Sequence, residues 1–143
     1  MSKLDQLHPV LRRKVRAILN DLLGHGYKAI VASAWRSSED QLALYRAGRS
    51  KVTFSFHNAT YPQGSGKWEA PCALAADICD ARLGWNASAE FKRLLKRSAV
   101  AHELVSGADW KSFGPDGDWA HVQLLPNSDL KRVKAGWLPA EEA

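Results

Sequence analysis

Cysteine is scarce: only Cys72 and Cys79 occur, too few for a disulfide framework and without the paired spacing of a structural zinc site. Both are read as free or buried thiols. A bridge between them stays open, because spacing in sequence does not give the distance between their Cα atoms. Long apolar runs are also missing. No stretch approaches the roughly 18–20 apolar residues of a membrane span, so no stable membrane insertion is expected. The opening MSKLDQLHPVLRRKVRAILNDLL sets basic residues among the apolar ones. It lacks the uninterrupted hydrophobic block and small-residue cleavage site of a signal peptide, and reads as an amphipathic helix. No internal repeat is visible, and no separate targeting module is expected. The 143 residues are read as one domain, 1–143, long enough to bury a core without disulfides.

Charge is present in excess of one sign. A net +5 and pI near 9.4 favour anionic partners: nucleic acid, a membrane surface or an anionic wall polymer. The basic residues Arg12, Arg13, Lys14 and Arg16 share a helix with a good apolar stripe, as do Lys92, Arg93, Lys96 and Arg97. They read as solvated helix faces, so no nucleic-acid partner is expected.

Val10, Leu11, Val15, Ile18, Leu19, Leu22 and Leu23 recur at helical spacing and predict a helix over about 8–24. The apolar run Tyr27 to Trp35 predicts a buried strand. Ser38 with Gln41 reads as a capping box for a helix closed by Gly48. Residues 58–73 carry glycine, proline and polar groups without a period, and read as an inserted loop. In LAADICD, Ala76 and Ile78 fall on one strand face, Asp77 and Cys79 on the other. A helix is expected from about Ser88 to Leu104, with Ser88 as its cap. After the turn GPDGD, WAHVQLL alternates with Trp119, His121 and Gln123 on one face and Ala120, Val122 and Leu124 toward the core.

Two strands thus each put one metal-ligand type on the less apolar face, Asp77 and His121, and His57 in SFH supplies a third. Two histidines and a carboxylate, with a position left for water, are what a catalytic zinc site requires. Asp118 stands three residues before His121, where Gly117 frees the backbone for it to swing toward the metal face as general base. Arg36 offers a bidentate guanidinium to a carboxylate or a developing oxyanion. His8, His25 and His102 read as structural residues of helices or their ends.

The segments SAWRSSEDQLALYRAG, SFH, AADI and DWAHVQL, in that order from about Ser33 to Leu124, resemble the D-alanyl-D-alanine and L-alanyl-D-glutamate metallopeptidases that share a fold with the Hedgehog signalling domain. The resemblance implies an α+β fold: a small antiparallel sheet with helices packed on one side, Hedgehog/D,D-peptidase-like. It implies Zn2+ on His57, Asp77 and His121, Asp118 as the catalytic acidic residue and Arg36 orienting substrate. Gln41 and Tyr45 are implied as packing positions that support the site. Two departures stand out. The His and Asp ligands usually lie close together in SxHxxGxAxD, whereas here 19 residues separate His57 from Asp77, and the common HFE reads His121-Val122-Gln123.

The expected function is a zinc-dependent peptidase of peptidoglycan stem peptides, acting as a monomer. An L-alanyl-D-glutamate endopeptidase of the phage endolysin type is favoured, made in the host cytoplasm and reaching the wall through another protein's membrane lesion. The alternatives are a D-alanyl-D-alanine carboxypeptidase or dipeptidase, and a non-catalytic zinc-stabilised wall-binding domain. The aromatics Tyr61 and Trp68 of the insertion are expected to touch substrate.

Overall fold

A computed structural model describes residues 1–141. Its helices are α1 (Pro9–Gly24), α2 (Ser38–Arg46), α3 (Ala89–Ala101) and α4 (Leu130–Lys134). Its strands are β1 (Ala29–Ser33), β2 (Ala75–Asp80), β3 (Val105–Ser106) and β4 (His121–Gln123). The strands form one antiparallel sheet in the order β1-β2-β4-β3.

The apolar stripe of α1 behaves as its spacing requires. Val10, Leu11, Val15, Ile18 and Leu22 are buried, and His8 caps the helix by accepting the Val10 N–H through Nδ1. The stripe packs with Phe91, Leu94, Leu95 and Ala99 of α3 and with Ala76, Ile78 and Val122 of the sheet. Each large side chain so buried contributes roughly 1.5–3 kcal/mol of transfer free energy. These two long helices therefore cover one face. The opposite face carries a groove bordered by residues of α2 and the start of α4.

Several local expectations need correction. β1 is an edge strand, paired only with β2, and its Ile30 is exposed where a buried strand was expected. The cap of α2 is Ser37, whose hydroxyl accepts the Asp40 N–H; Gln41 is freed from capping and turns inward. α3 stops at Ala101, since Glu103 adopts a φ of 62° that a helix cannot continue. Trp119 precedes β4 and packs edge-on against Phe91 on the helix side, not beside His121. His102 lies at the end of α3 and, like Ser98, bonds the Asp21 carboxylate of α1, a helix-to-helix tie. Tyr45, expected as a packing residue, is exposed.

The insertion is more ordered than its composition suggests. Thr60 bridges Pro71, the Cys72 N–H reaches Ala59 O at 3.0 Å, and the Leu74 N–H reaches Phe56 O at 2.9 Å. Its base is therefore a paired ribbon that leads away from His57 toward the chain termini, where the Tyr61 hydroxyl bonds Glu141. Cys72 and Cys79 are free and buried, and burial pushes the Cys72 thiol up to about 11, which keeps it protonated and unreactive.

Candidate active site

Asp77 of β2 and His121 of β4 are direct cross-strand partners. In a small antiparallel sheet such a pair shares one face, so strand register alone brings the two side chains together. His57 arrives from a 3₁₀ turn, Phe56–Asn58, that the sequence builds locally. The Ser55 hydroxyl accepts the His57 N–H, and Asn58 Oδ1 accepts the Ser55 N–H. Phe56 anchors this turn in a second apolar cluster with Leu74, Ala75 and Val133.

The resulting distances suit a metal ion. His57 Nε2 lies 3.5 Å from Asp77 Oδ2, and His121 Nδ1 lies 3.5 Å from Asp77 Oδ1. One ligand atom from each of the three residues fits within 4.8 Å of the others. Tetrahedral zinc with bonds near 2.0–2.1 Å sets its ligand atoms about 3.3–3.4 Å apart, so each histidine–aspartate contact is already near that spacing and the set of three has to draw in from within 4.8 Å.

Hydrogen bonds choose the coordinating nitrogens. His57 Nδ1–H donates to the Ala34 carbonyl at 2.7 Å, leaving Nε2 as the lone-pair nitrogen toward Asp77. His121 Nε2–H donates to Gln123 Oε1 at 2.8 Å, leaving Nδ1 toward Asp77 and Asp118. The Gln123 amide cannot flip without loss, because its Nε2 donates to Leu125 O and Asn127 Oδ1. Such partners orient ligand rings and raise their basicity. Gln123 therefore does here what the departure from HFE left unassigned. Its position two residues after His121 on one strand face was the available signal.

The electrostatics are those of a cation site. Burial pulls the His57 imidazole down to about 4, despite the opposing charge of Asp77, so this ligand is neutral at ordinary pH. Burial acts the same way on His121 but is outweighed by the hydrogen bond and charge of Asp77, helped by Asp118 and Gln123, and its proton affinity rises. Burial opposes ionisation of Asp77, yet His121, His57 and Arg36 together hold its pKa below the usual carboxylate range. The two carboxylates that draw a proton to His121 Nδ1 draw a metal cation to the same lone pair.

Asp118 Oδ2 stands 3.9 Å from His121 Nδ1, beside the cluster and not in it. Gly117 has a φ of 61°, and a Cβ there would strike the carbonyl of Ala108; glycine is thus required for the turn that brings Asp118 onto the metal face. The Asp118 N–H is tied to Gly107 O at 2.9 Å. Burial raises its carboxyl pKa, with Asp77 adding to the effect and His121 and Arg36 opposing it. A carboxylate of raised proton affinity is a better proton acceptor near neutral pH.

Arg36 also borders the groove, its Nη1 donating to Gln41 Oε1 at 2.7 Å. Gln41 is fully buried and held by Ser50 Oγ and Val52 O, so the guanidinium is aimed by a fixed support. The groove encloses about 930 Å³ and joins His57, Asp77, Asp118, His121 and Arg36 to Arg49, Lys51, Trp85, Trp110 and Phe113. The last five were not anticipated. Trp110, whose ring centroid is 4.9 Å from that of His121, carries no periodic signal because it sits between two 3₁₀ turns.

Neither Tyr61 nor Trp68 lines this groove, because the insertion ribbon runs the other way. Trp68 is 57% exposed, so the roughly 3–5 kcal/mol lost on truncating a buried Trp is not at stake. Trp68→Ala is expected to leave both the melting temperature and the hydrolysis of wall fragments at parent values. A drop in turnover alone would put the insertion over the substrate.

No protein-family model matches the chain. The peptidoglycan L-alanyl-D-glutamate endopeptidase CwlK of Bacillus subtilis (strain 168) is 25% identical over 134 residues, covering 86% of this chain and 76% of the relative. Among solved structures, the L-Ala D-Glu endopeptidase ChiX of Serratia marcescens superimposes with a TM-score of 0.59 at 24% identity, over 86% of this chain and 84% of that one. The L,D-carboxypeptidase DacB of Streptococcus pneumoniae gives a TM-score of 0.55 at 16% identity, over 92% and 73%. These two structural likenesses establish the α+β fold. With the motifs in their expected order and His57, Asp77 and His121 gathered on it, the chain shares the α+β fold of the peptidoglycan peptidases it resembles and is similar in sequence to an L-alanyl-D-glutamate endopeptidase.

Proposed function

We propose that the protein is a zinc-dependent endopeptidase that cuts peptidoglycan stem peptides between L-alanine and D-glutamate, in the manner of a phage-type endolysin delivered to the wall through a membrane lesion. The observation that carries the reading is the His57–Asp77–His121 cluster with both free imidazole nitrogens turned inward, beside an uncommitted carboxylate and a braced guanidinium. The bond assigned follows the sequence relative, named for that activity.

Zinc held by these three residues would polarise the scissile carbonyl and make the attacking water more acidic. Asp118 takes the proton of that water and later delivers it to the leaving amine, a task suited to its raised proton affinity. Arg36, fixed by Gln41, stabilises the negative charge developing on the carbonyl oxygen. Arg49 and Lys51 lend the groove positive charge that suits the carboxylates of a stem peptide.

The test is incubation with defined muropeptides and mass analysis of the products. The expected outcome is a new D-glutamate amino terminus with L-alanine left on the sugar, abolished by a chelator and restored by zinc. Release of terminal D-alanine would instead make the protein a carboxypeptidase. Absence of any product from the zinc-loaded protein would favour the non-catalytic wall-binding alternative.

A further inference from the structure

Trp85 is 58% exposed and Phe113 45% exposed, although both line the groove that holds the metal ligands. Neither has a part in the chemistry just described. Large apolar side chains displayed at a binding groove mark contact surface when they are held rigidly, since disorder would erase the gain. Trp85 is held. Asp80 Oδ1 accepts the N–H groups of Arg82 and Leu83, and the Gly84 N–H closes onto Asp80 O at 2.7 Å with Gly84 at a φ of 58°. The Trp85 ring then rests edge-on against Trp119 at 5.9 Å, which itself rests on buried Phe91. Phe113 is positioned by a 3₁₀ turn next to Trp110, and Lys51 Nζ approaches its ring to 5.7 Å.

We propose that Trp85, with Phe113, is a stacking platform for the saccharide ring that bears the stem peptide, so that the preferred substrate is the sugar-linked stem and not the free peptide. This rests on the endopeptidase reading, and reach supports it. At about 3.3–3.6 Å per residue, one alanine and its lactyl link set the sugar about 7 Å from an L-alanyl-D-glutamate bond lying on the metal site. For a bond at the far end of the stem the sugar would stand four residues and the lactyl link, or roughly 17 Å, away. Trp110 touches His121 and Phe113 packs on Trp110 at 6.3 Å, while Trp85 lines the same groove, so aromatic surface starts at the metal ligands themselves, where the shorter reach would put the sugar. Flat pyranose faces present C–H groups that pack on indole and phenyl rings, and the cations beside them suit the carboxylates of the same molecule.

The experiment uses the zinc-loaded full chain and its Trp85→Ala and Trp85→Phe variants. Cleavage is compared on a muramyl tripeptide and on the same tripeptide without sugar, and binding of chitotetraose, a peptide-free glycan, is followed by NMR. Trp85→Ala is expected to lower the ratio of kcat/KM for sugar-bearing over sugar-free substrate by about tenfold, and to lose the chitotetraose contact. Trp85→Phe should keep most of both, which a merely structural role would not predict. An unchanged ratio, or chitotetraose ignored by the parent protein, overturns the platform. Failure of the parent to cut either peptide overturns the endopeptidase reading, while the glycan-binding arm still decides the role of Trp85.

Discussion

Replacing any one of His57, Asp77 or His121 with alanine is expected to remove zinc and peptidase activity together. Assigning each ligand about a third of the ~10–16 kcal/mol of a structural zinc site gives roughly 3–5 kcal/mol, or about 10²–10⁴ in affinity. Asp77 should be the most damaging of the three. It lies between both histidines, at 3.5 Å from each, so its loss leaves two buried imidazoles with only Asp118, 3.9 Å from His121, as a neighbouring carboxylate. Metal analysis after dialysis reads the effect directly, and full occupancy in a variant would strike that residue from the ligand set. Gln123→Leu provides a graded control. It removes the acceptor that holds His121 Nε2–H while leaving all three ligands, and should weaken zinc by about 10–100-fold.

Asp118→Asn is expected to separate catalysis from metal binding. The carboxylate lies outside the ligand cluster, and its turn is held by the backbone through Gly117 and the bond to Gly107 O. Zinc content and melting temperature should therefore match the parent. Turnover should fall at least about 10²-fold, because an amide accepts no proton. Near-normal turnover with zinc in place would transfer the role of base to another group. A parallel loss of zinc would instead make Asp118 part of the metal's holding set.

Much of this site was legible in the sequence because its geometry is largely local. Alternation in LAADICD and WAHVQLL determined the faces of Asp77 and His121. In SFH only the histidine was legible, and the Ser55–Asn58 box that places His57, short-range as it is, came from the structure. The stripe of α1 and the Ser88 cap of α3 rest on residues within a few positions of each other. Where the reading failed, a contact from elsewhere in the chain decided. Gln41 looked like a capping residue until Ser50 and Val52 drew it inward to brace Arg36. Trp119 continued the strand alternation on paper, yet Phe91 offered it a better apolar surface.

What the sequence by itself determined was the inventory of ligands, the periodicity of the long elements and the face on which each strand residue falls. Only the tertiary structure decided that Asp77 stands opposite His121, that the insertion after His57 turns away from the groove, and that Trp85 and Phe113 turn into its lining. The physical reason is range. Backbone periodicity and capping act over a few residues, whereas strand register, loop direction and the aiming of exposed side chains are set by hydrogen bonds and packing between segments distant in the chain.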